Sequence, residues 1–268
     1  MSEAIHDAAA SLTFIGNATA LLRLGPFTLL TDPNFLHAGQ RAYLGKGLWS
    51  KRLQDPAMEV ADLPPLDAVL LSHLHGDHWD RVAQAQLDPA VPVITTRKAA
   101  RTLERRGFDA RGLTTWESRE LTSGEATLRI TAMPGRHGPM GVHRLLPPVM
   151  GSMLELEVAG VVRLCLYISG DTLCIPELGE VARRYRDIDV GVLHLGGTKL
   201  LRLVLVTMDG AQGAELVRRL QPGRVVPVHV DDYTVFTSPL EDFVTACGQD
   251  RDRLLVVGRG QTQALPSR

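Results

Sequence analysis

A chain of 268 residues that is 44% hydrophobic and 22% charged has the make-up of a folded globular protein, which excludes disordered, collagen-like and low-complexity classes. Its 29 basic and 30 acidic residues leave a net charge of −1, so no global field draws it to nucleic acid or to an anionic membrane. The three cysteines, Cys165, Cys174 and Cys247, have no metal-ligand spacing and read as buried thiols of a reducing compartment. The opening MSEAIHDAAASLTF lacks a basic n-region and a long apolar h-region, and no apolar run approaches the ~20 residues that span a bilayer. These features predict a soluble, cytoplasmic protein without a membrane span.

In chain order, residues 12–15, 20–24 and 27–30 are strand-like and separated by Gly16-Asn17 and Gly25-Pro26, which predicts an antiparallel meander ending at Thr31-Asp32-Pro33. Residues 34–65 show no clear period. A stretch that long is read either as a rim or lid or as a packed connection, with Phe35, Tyr43 and Trp49 as its apolar contacts. From Asp67 the pattern changes to strands alternating with helices. Strands are predicted at 68–71, 91–94, 128–132, 161–168, 190–193, 225–228 and 254–257. Helices are predicted at 97–106 with Thr96 as N-cap and Gly107 as stop, at 176–184 and at 208–220. A last one runs from the capping-box spacing of Ser238 and Glu241 to Cys247. With no repeat and no linker, 1–268 reads as a single domain.

The chemistry concentrates in His73-Leu74-His75-Gly76-Asp77-His78, directly after the predicted buried strand 68–71. Burying these four polar groups unpaired would cost several kcal/mol each by rough transfer estimates, about 2–7 in general. Their spacing instead suits metal binding: His73 and His75 point one way from an extended segment, while Asp77 and His78 turn toward a second position. Three more candidates follow predicted strands: His137 in Pro134-Gly135-Arg136-His137-Gly138, Asp171 in Ser169-Gly170-Asp171-Thr172, and His229. Ligands of open α/β sheets collect beyond the carboxyl ends of strands, where all of these fall. Several histidines with carboxylate suit zinc, and iron or manganese would accept the same set.

This motif order resembles the metallo-β-lactamase superfamily, over nearly the whole chain from about Leu12 to Gly258. The opening FIGNATALLRLGPFTLLTDP and the late HVDDYTVFTSPLEDF resemble more narrowly the branch containing ascorbate-phosphate lactonases and N-acylphosphatidylethanolamine phospholipase D. The resemblance implies an α/β fold of four αββα layers, an α+β sandwich with the metal site at one edge of its two sheets. It also implies that His73, His75 and His137 hold one divalent ion, that Asp77, His78 and His229 hold a second, and that Asp171 bridges them. The ions would be zinc first, with Mn2+ or Fe2+ as alternatives.

The chemistry that follows is hydrolysis of a small ester, lactone or phosphoester by hydroxide held between two cations, with Asp77 as ligand and proton shuttle. Asp32 is a candidate to orient a ligand histidine, the other reading being a turn residue before Pro33. His194, Asp232 and Tyr233 are candidates for substrate contact or for ordering the metal shell. Lys199, Arg136 and His143 are candidates for an anionic group, and His6 and His37 read as surface. Residues 139–150 suggest a pocket wall or an oligomer contact. The partner expected is a small molecule, with no nucleic acid and with self-association left open. Alternatives are a phosphodiesterase acting on phospholipid or nucleic acid, and a non-catalytic metal-binding sensor.

Overall fold

A computed structural model describes residues 9–201, 203–266 and 268; His6 lies outside them. Strands β1 (Ala10–Gly16), β2 (Thr19–Leu24) and β3 (Phe27–Thr31) form the predicted antiparallel meander. Residues 34–65 carry a short hairpin that periodicity did not reveal, β4 (Arg41–Tyr43) against β5 (Trp49–Lys51). Three-residue strands are too short to show alternation. Phe35 is buried as expected, whereas Tyr43 and Trp49 pack on each other at 4.9 Å and stand exposed.

Next come β6 (Ala68–Leu70), helix α1 (Arg81–Gln86), β7 (Val93–Thr96), α2 (Arg97–Glu104) and β8 (Ala110–Leu113). The Thr96 hydroxyl accepts from Ala99 N and caps α2. A second run follows: β9 (Ser118–Ser123), β10 (Ala126–Met133), β11 (Gly151–Val158), β12 (Val161–Ile168), α3 (Leu178–Arg184) and β13 (Val190–His194). The chain closes through the short pair β14 (Lys199–Leu200) and β15 (Val204–Leu205), then α4 (Gly210–Leu220), β16 (Arg224–Val228), α5 (Leu240–Cys247) and β17 (Thr262–Ala264). The strand expected at 254–257 is not formed. Only Leu254 bridges to Val225, and β17 takes the sheet edge beside β1 instead. Ser238 does not cap its own helix by the expected box; its hydroxyl accepts from Gly210 N and donates to Asp242, joining the starts of α4 and α5.

Two sheets result, ordered β17-β1-β2-β3-β6-β7-β8 and β16-β13-β12-β11-β10-β9. Each is antiparallel in one half and parallel in the other. Period-2 alternation sorts their side chains. Leu22, Leu29, Leu70, Leu128, Ile130, Leu164 and Leu166 fill the space between the sheets. Leu21, Leu30 and Val69 face outward to α1 and α2 through Ala83, Ala100 and Leu103. On the other side Cys165, Tyr167 and Leu193 meet Leu178 of α3, Val217 of α4 and Phe243 of α5. At about 1.5–3 kcal/mol for each fully buried aliphatic side chain, this patterning selects the four αββα layers. No described helix is long and apolar enough to cross a membrane.

Candidate metal centre

The functional side chains stand where parallel and antiparallel strands of both sheets end. Asp32 follows β3, the His73–His78 turn follows β6, His137 follows β10, Asp171 follows β12, His194 ends β13 and His229 follows β16. His73, His75 and His137 offer ligand atoms within 4.8 Å of one another, and so do Asp77, His78 and His229. Asp171 meets the same criterion with His73 and His78, which puts it between the two triads.

Distances within the first triad are short. His73 Nε2 lies 2.9 Å from His75 Nδ1, and His137 Nε2 lies 3.4 Å from that same nitrogen. Nitrogens bound at 2.0–2.1 Å to one tetrahedral zinc would stand about 3.3 Å apart, so the three atoms fit a shared cation. In the second group His78 Nε2 and His229 Nε2 are 3.1 Å apart, and Asp77 Oδ2 is 3.4 Å from His229 Nε2. Asp171 Oδ2 is 3.4 Å from His78 Nε2 and accepts from the Thr207 hydroxyl.

The outward nitrogens are tied down. His137 Nδ1 donates to the Val206 carbonyl at 2.9 Å and His229 Nδ1 to the Leu195 carbonyl at 3.0 Å. His78 Nδ1 faces Asp32 Oδ2 at 3.1 Å, and His73 Nδ1 meets the Ser72 hydroxyl at 3.0 Å. A carbonyl or carboxylate accepts only, so a proton sits on the Nδ1 of His78, His137 and His229, and their Nε2 lone pairs point inward. Asp77 Oδ1 and Asp171 Oδ1 are buried without a hydrogen-bond partner. Orphaned carboxylate oxygens beside converging imidazoles fit a divalent ion.

Electrostatics divide the two groups. Burial draws the His73 imidazole well below its ordinary value, takes His75 down to about 3 and lowers His137 as well. Those three are neutral nitrogen donors. Burial acts the same way on His78 and His229, but Asp171, with Asp32 and Asp77 for His78 and Asp77 for His229, outweighs it and raises both. Asp171 is correspondingly held well below the carboxylate range: burial opposes this, and His229 and His78 prevail. The buried carboxylates thus favour positive charge in their midst, which a divalent cation would supply while leaving the Nε2 lone pairs of His78 and His229 free to ligate it.

Sequence reasoning missed Asn17, whose side chain donates to the Asp77 carbonyl at 2.7 Å while its own carbonyl accepts from His229 N. In the sequence Asn17 carries only the turn signal of Gly16-Asn17. Asp32 lies between His78 and His194, 3.1 Å from each, and also accepts from Ser72 N at 2.7 Å. Asp32→Asn should therefore weaken metal affinity about 10–100-fold, measured by competition with a chromogenic chelator; unchanged affinity would rule out that orienting role.

Asp232 and Tyr233 do not reach the cleft. Asp232 is fully buried, accepting from Asn17 N and pairing with Arg259, and the Tyr233 hydroxyl donates to Asn34 Oδ1 at 2.9 Å. His194 is likewise buried, against Asp32 and Ser169, and does not line the cleft. Arg136 pairs with Glu177, and His143 bonds within its own turn. In front of His75, Asp77, His137 and Asp171 opens a cleft of about 200 Å3, walled mainly by Leu44, Leu48, Trp49, Leu146, Val206 and Val235, with Lys199 at its edge.

Residues 28–230 match the beta-lactamase superfamily domain. The chain belongs to the beta-lactamase superfamily. Within this superfamily it is 28% identical over 201 residues to N-acyl-phosphatidylethanolamine-hydrolyzing phospholipase D 1 of Caenorhabditis elegans, covering 69% of this chain and 53% of that protein. The chain thus spans about half the length of that relative. It is 25% identical over 256 residues to a metal-dependent hydrolase of Thermococcus kodakarensis, covering 94% of this chain and 98% of the other. Among solved structures, isothiocyanate hydrolase from Delia radicum gut bacteria superposes with a TM-score of 0.79 at 22% identity over 96% of this chain and 99% of that one. A possible metal-dependent hydrolase from Veillonella parvula gives 0.80 at 23% identity over 96% and 100%. These likenesses show the shared fold.

Proposed function

We propose that this metal-dependent hydrolase of the beta-lactamase superfamily works with two divalent cations and cleaves a small ester, lactone or phosphoester. The observation that carries the reading is the pair of adjoining ligand groups, His73/His75/His137 and Asp77/His78/His229, with Asp171 between them. Zinc suits this set of imidazoles and carboxylates, and manganese or iron would also accept it. When bound, two such cations lower the pKa of a water toward ~7 and polarise the oxygen of the electrophile.

The chain's own groups do the rest. Asp77 keeps one unpartnered carboxylate oxygen buried at the cleft floor, where it can take a proton and pass it to a leaving oxygen. Thr207 fixes the orientation of Asp171, and the Val206 and Leu195 carbonyls fix those of His137 and His229. The apolar walls of the cleft keep bulk water from competing for these groups.

The test is elemental analysis of protein purified without added metal, together with turnover of an aryl ester, a lactone and a bis-aryl phosphodiester. The expected result is near two metals per chain and hydrolysis of at least one probe, lost in His75→Ala. A chain that takes up no metal even on reconstitution would refute the reading.

A further inference from the structure

Beside the cleft lies a second cavity of about 380 Å3 that shares Leu44, His75 and Leu146 with it. Its walls carry Lys46, Lys98, Arg106 and Arg144, and no carboxylate lines it among the described residues. The cations converge from three separate segments. Lys98 and Arg106 stand eight positions apart, with Thr102 midway, which sets them on one side of α2 and its C-terminal turn. Lys46 comes from the β4–β5 turn and Arg144 from the segment after His137. Lys46, Lys98 and Arg144 form no ion pair among the described residues, and Arg106 bonds only to the neutral amide of Gln84. In a chain of net charge −1, four cations around one concavity without an acid is a local excess. Of the other basic residues of α2, Arg97 pairs with Glu117 and Arg101 does not line the cavity.

We propose that this cavity is an anion subsite, and that the substrate is a small amphiphile. Its apolar part fills the cleft over the metal ligands, and a separate phosphate, sulfate or carboxylate group sits among Lys46, Lys98, Arg106 and Arg144. The assignment of the scissile bond to the cleft rests on the function proposed above; the anion subsite itself does not. Each of the four side chains is solvent-exposed and would hold an anion weakly alone; lining one concavity, they act on the same charge together.

The experiment is calorimetric titration of the metal-loaded protein with 4-phenylbutane-1-sulfonate and with 4-phenylbutan-1-ol. A sulfonate keeps its charge across the usable pH range and is a poor metal ligand, so its preference over the alcohol reports the cations. The sulfonate should bind about tenfold more tightly, ~1.4 kcal/mol, and the preference should shrink as salt is raised. It should vanish in Lys98→Glu/Arg144→Glu and weaken in Lys98→Gln/Arg144→Gln, the milder pair guarding against misfolding. Arg101→Glu/Arg105→Glu makes the same change in net charge away from the cavity wall and should leave it intact. Equal binding of the two probes by the native protein, or equal loss in both Glu pairs, would overturn the subsite.

Binding needs no turnover. A sulfonate preference without hydrolysis of any probe would refute the catalytic reading alone, and hydrolysis without the preference would refute the subsite alone. Sedimentation with phosphatidylglycerol but not phosphatidylcholine vesicles, lost in Lys98→Glu/Arg144→Glu, would identify the anion as a lipid headgroup. No sedimentation would identify it as a soluble compound.

Discussion

Asp77→Asn should lower kcat by about 10²–10⁴-fold on whichever probe the enzyme hydrolyses, with the fold unchanged. The substitution keeps the shape of the side chain and the hydrogen bond from Asn17 to the Asp77 backbone, so the turn has no reason to move. It removes a negative charge from beside His78 and His229, which Asp77 Oδ2 approaches to 3.8 and 3.4 Å. It also replaces the unpartnered Oδ1 with a group that cannot take a proton from substrate or water. Metal content and rate separate the two roles. Should saturating metal restore two ions per chain without restoring kcat, proton transfer is the larger part of the loss. A variant with native kcat would eliminate Asp77 from the mechanism.

The second large effect is expected from a single methyl group. Gly76 sits between ligands His75 and Asp77, and its N–H donates to the Tyr43 carbonyl at 2.9 Å. A Cβ added there would lie 2.7 Å from that oxygen and 2.8 Å from Tyr43 N. Both are backbone atoms of β4, so no side-chain rotation relieves the clash. Either the hairpin or the ligand turn must move by several tenths of an ångström. Misplacement on the order of 1 Å at a reacting centre costs about 10²-fold, and Gly76→Ala should reduce kcat/KM by that order while the circular dichroism stays native. Gly179→Ala in α3 is the control, because nothing lies within 4 Å of its new Cβ. That variant should be active and stabilised by roughly 0.4–1 kcal/mol in chemical denaturation. A fully active Gly76→Ala would show that the hairpin yields freely and does not hold the turn.

The ligand turn was legible because three histidines and an aspartate within six residues have no economical explanation in an apolar core. The strands that enclose it were legible where alternation ran long enough, as in Leu128, Ile130 and Ala132. What failed did so for local reasons. The β4–β5 hairpin has strands of three residues, too short for alternation to show, and β17 is held by pairing to β1, far away in sequence. Substrate contact by Asp232 and Tyr233 rests on their closeness to His229 in sequence, and neither lines the cleft. His229 and Asp231 both adopt left-handed backbone, at φ 60° and 59°, and Asp232 is turned to Asn17 and Arg259 instead. Adjacency in sequence does not survive two such residues. Asn17 was invisible for the converse reason: its role depends on a carbonyl of Asp77 and an amide of His229, neither of which has a sequence signature.

The candidate ligands are divided between the halves of the molecule. His73, His75, Asp77 and His78 follow a strand of one sheet, and His137, Asp171 and His229 follow strands of the other. An ion held by both sets is therefore a cross-link as well as a reagent. Neither half alone can complete a site, so the sheets must dock before full affinity exists, and opening one edge of the sandwich would cost ligands. For an ion present at 100 times its dissociation constant, binding to the native chain alone would add about 2.7 kcal/mol to the stability of the closed sandwich. Withdrawal of the ion would then be felt along the seam between the sheets, as faster amide exchange at the ends of β6, β10, β12 and β16, before any loss in the outer helices.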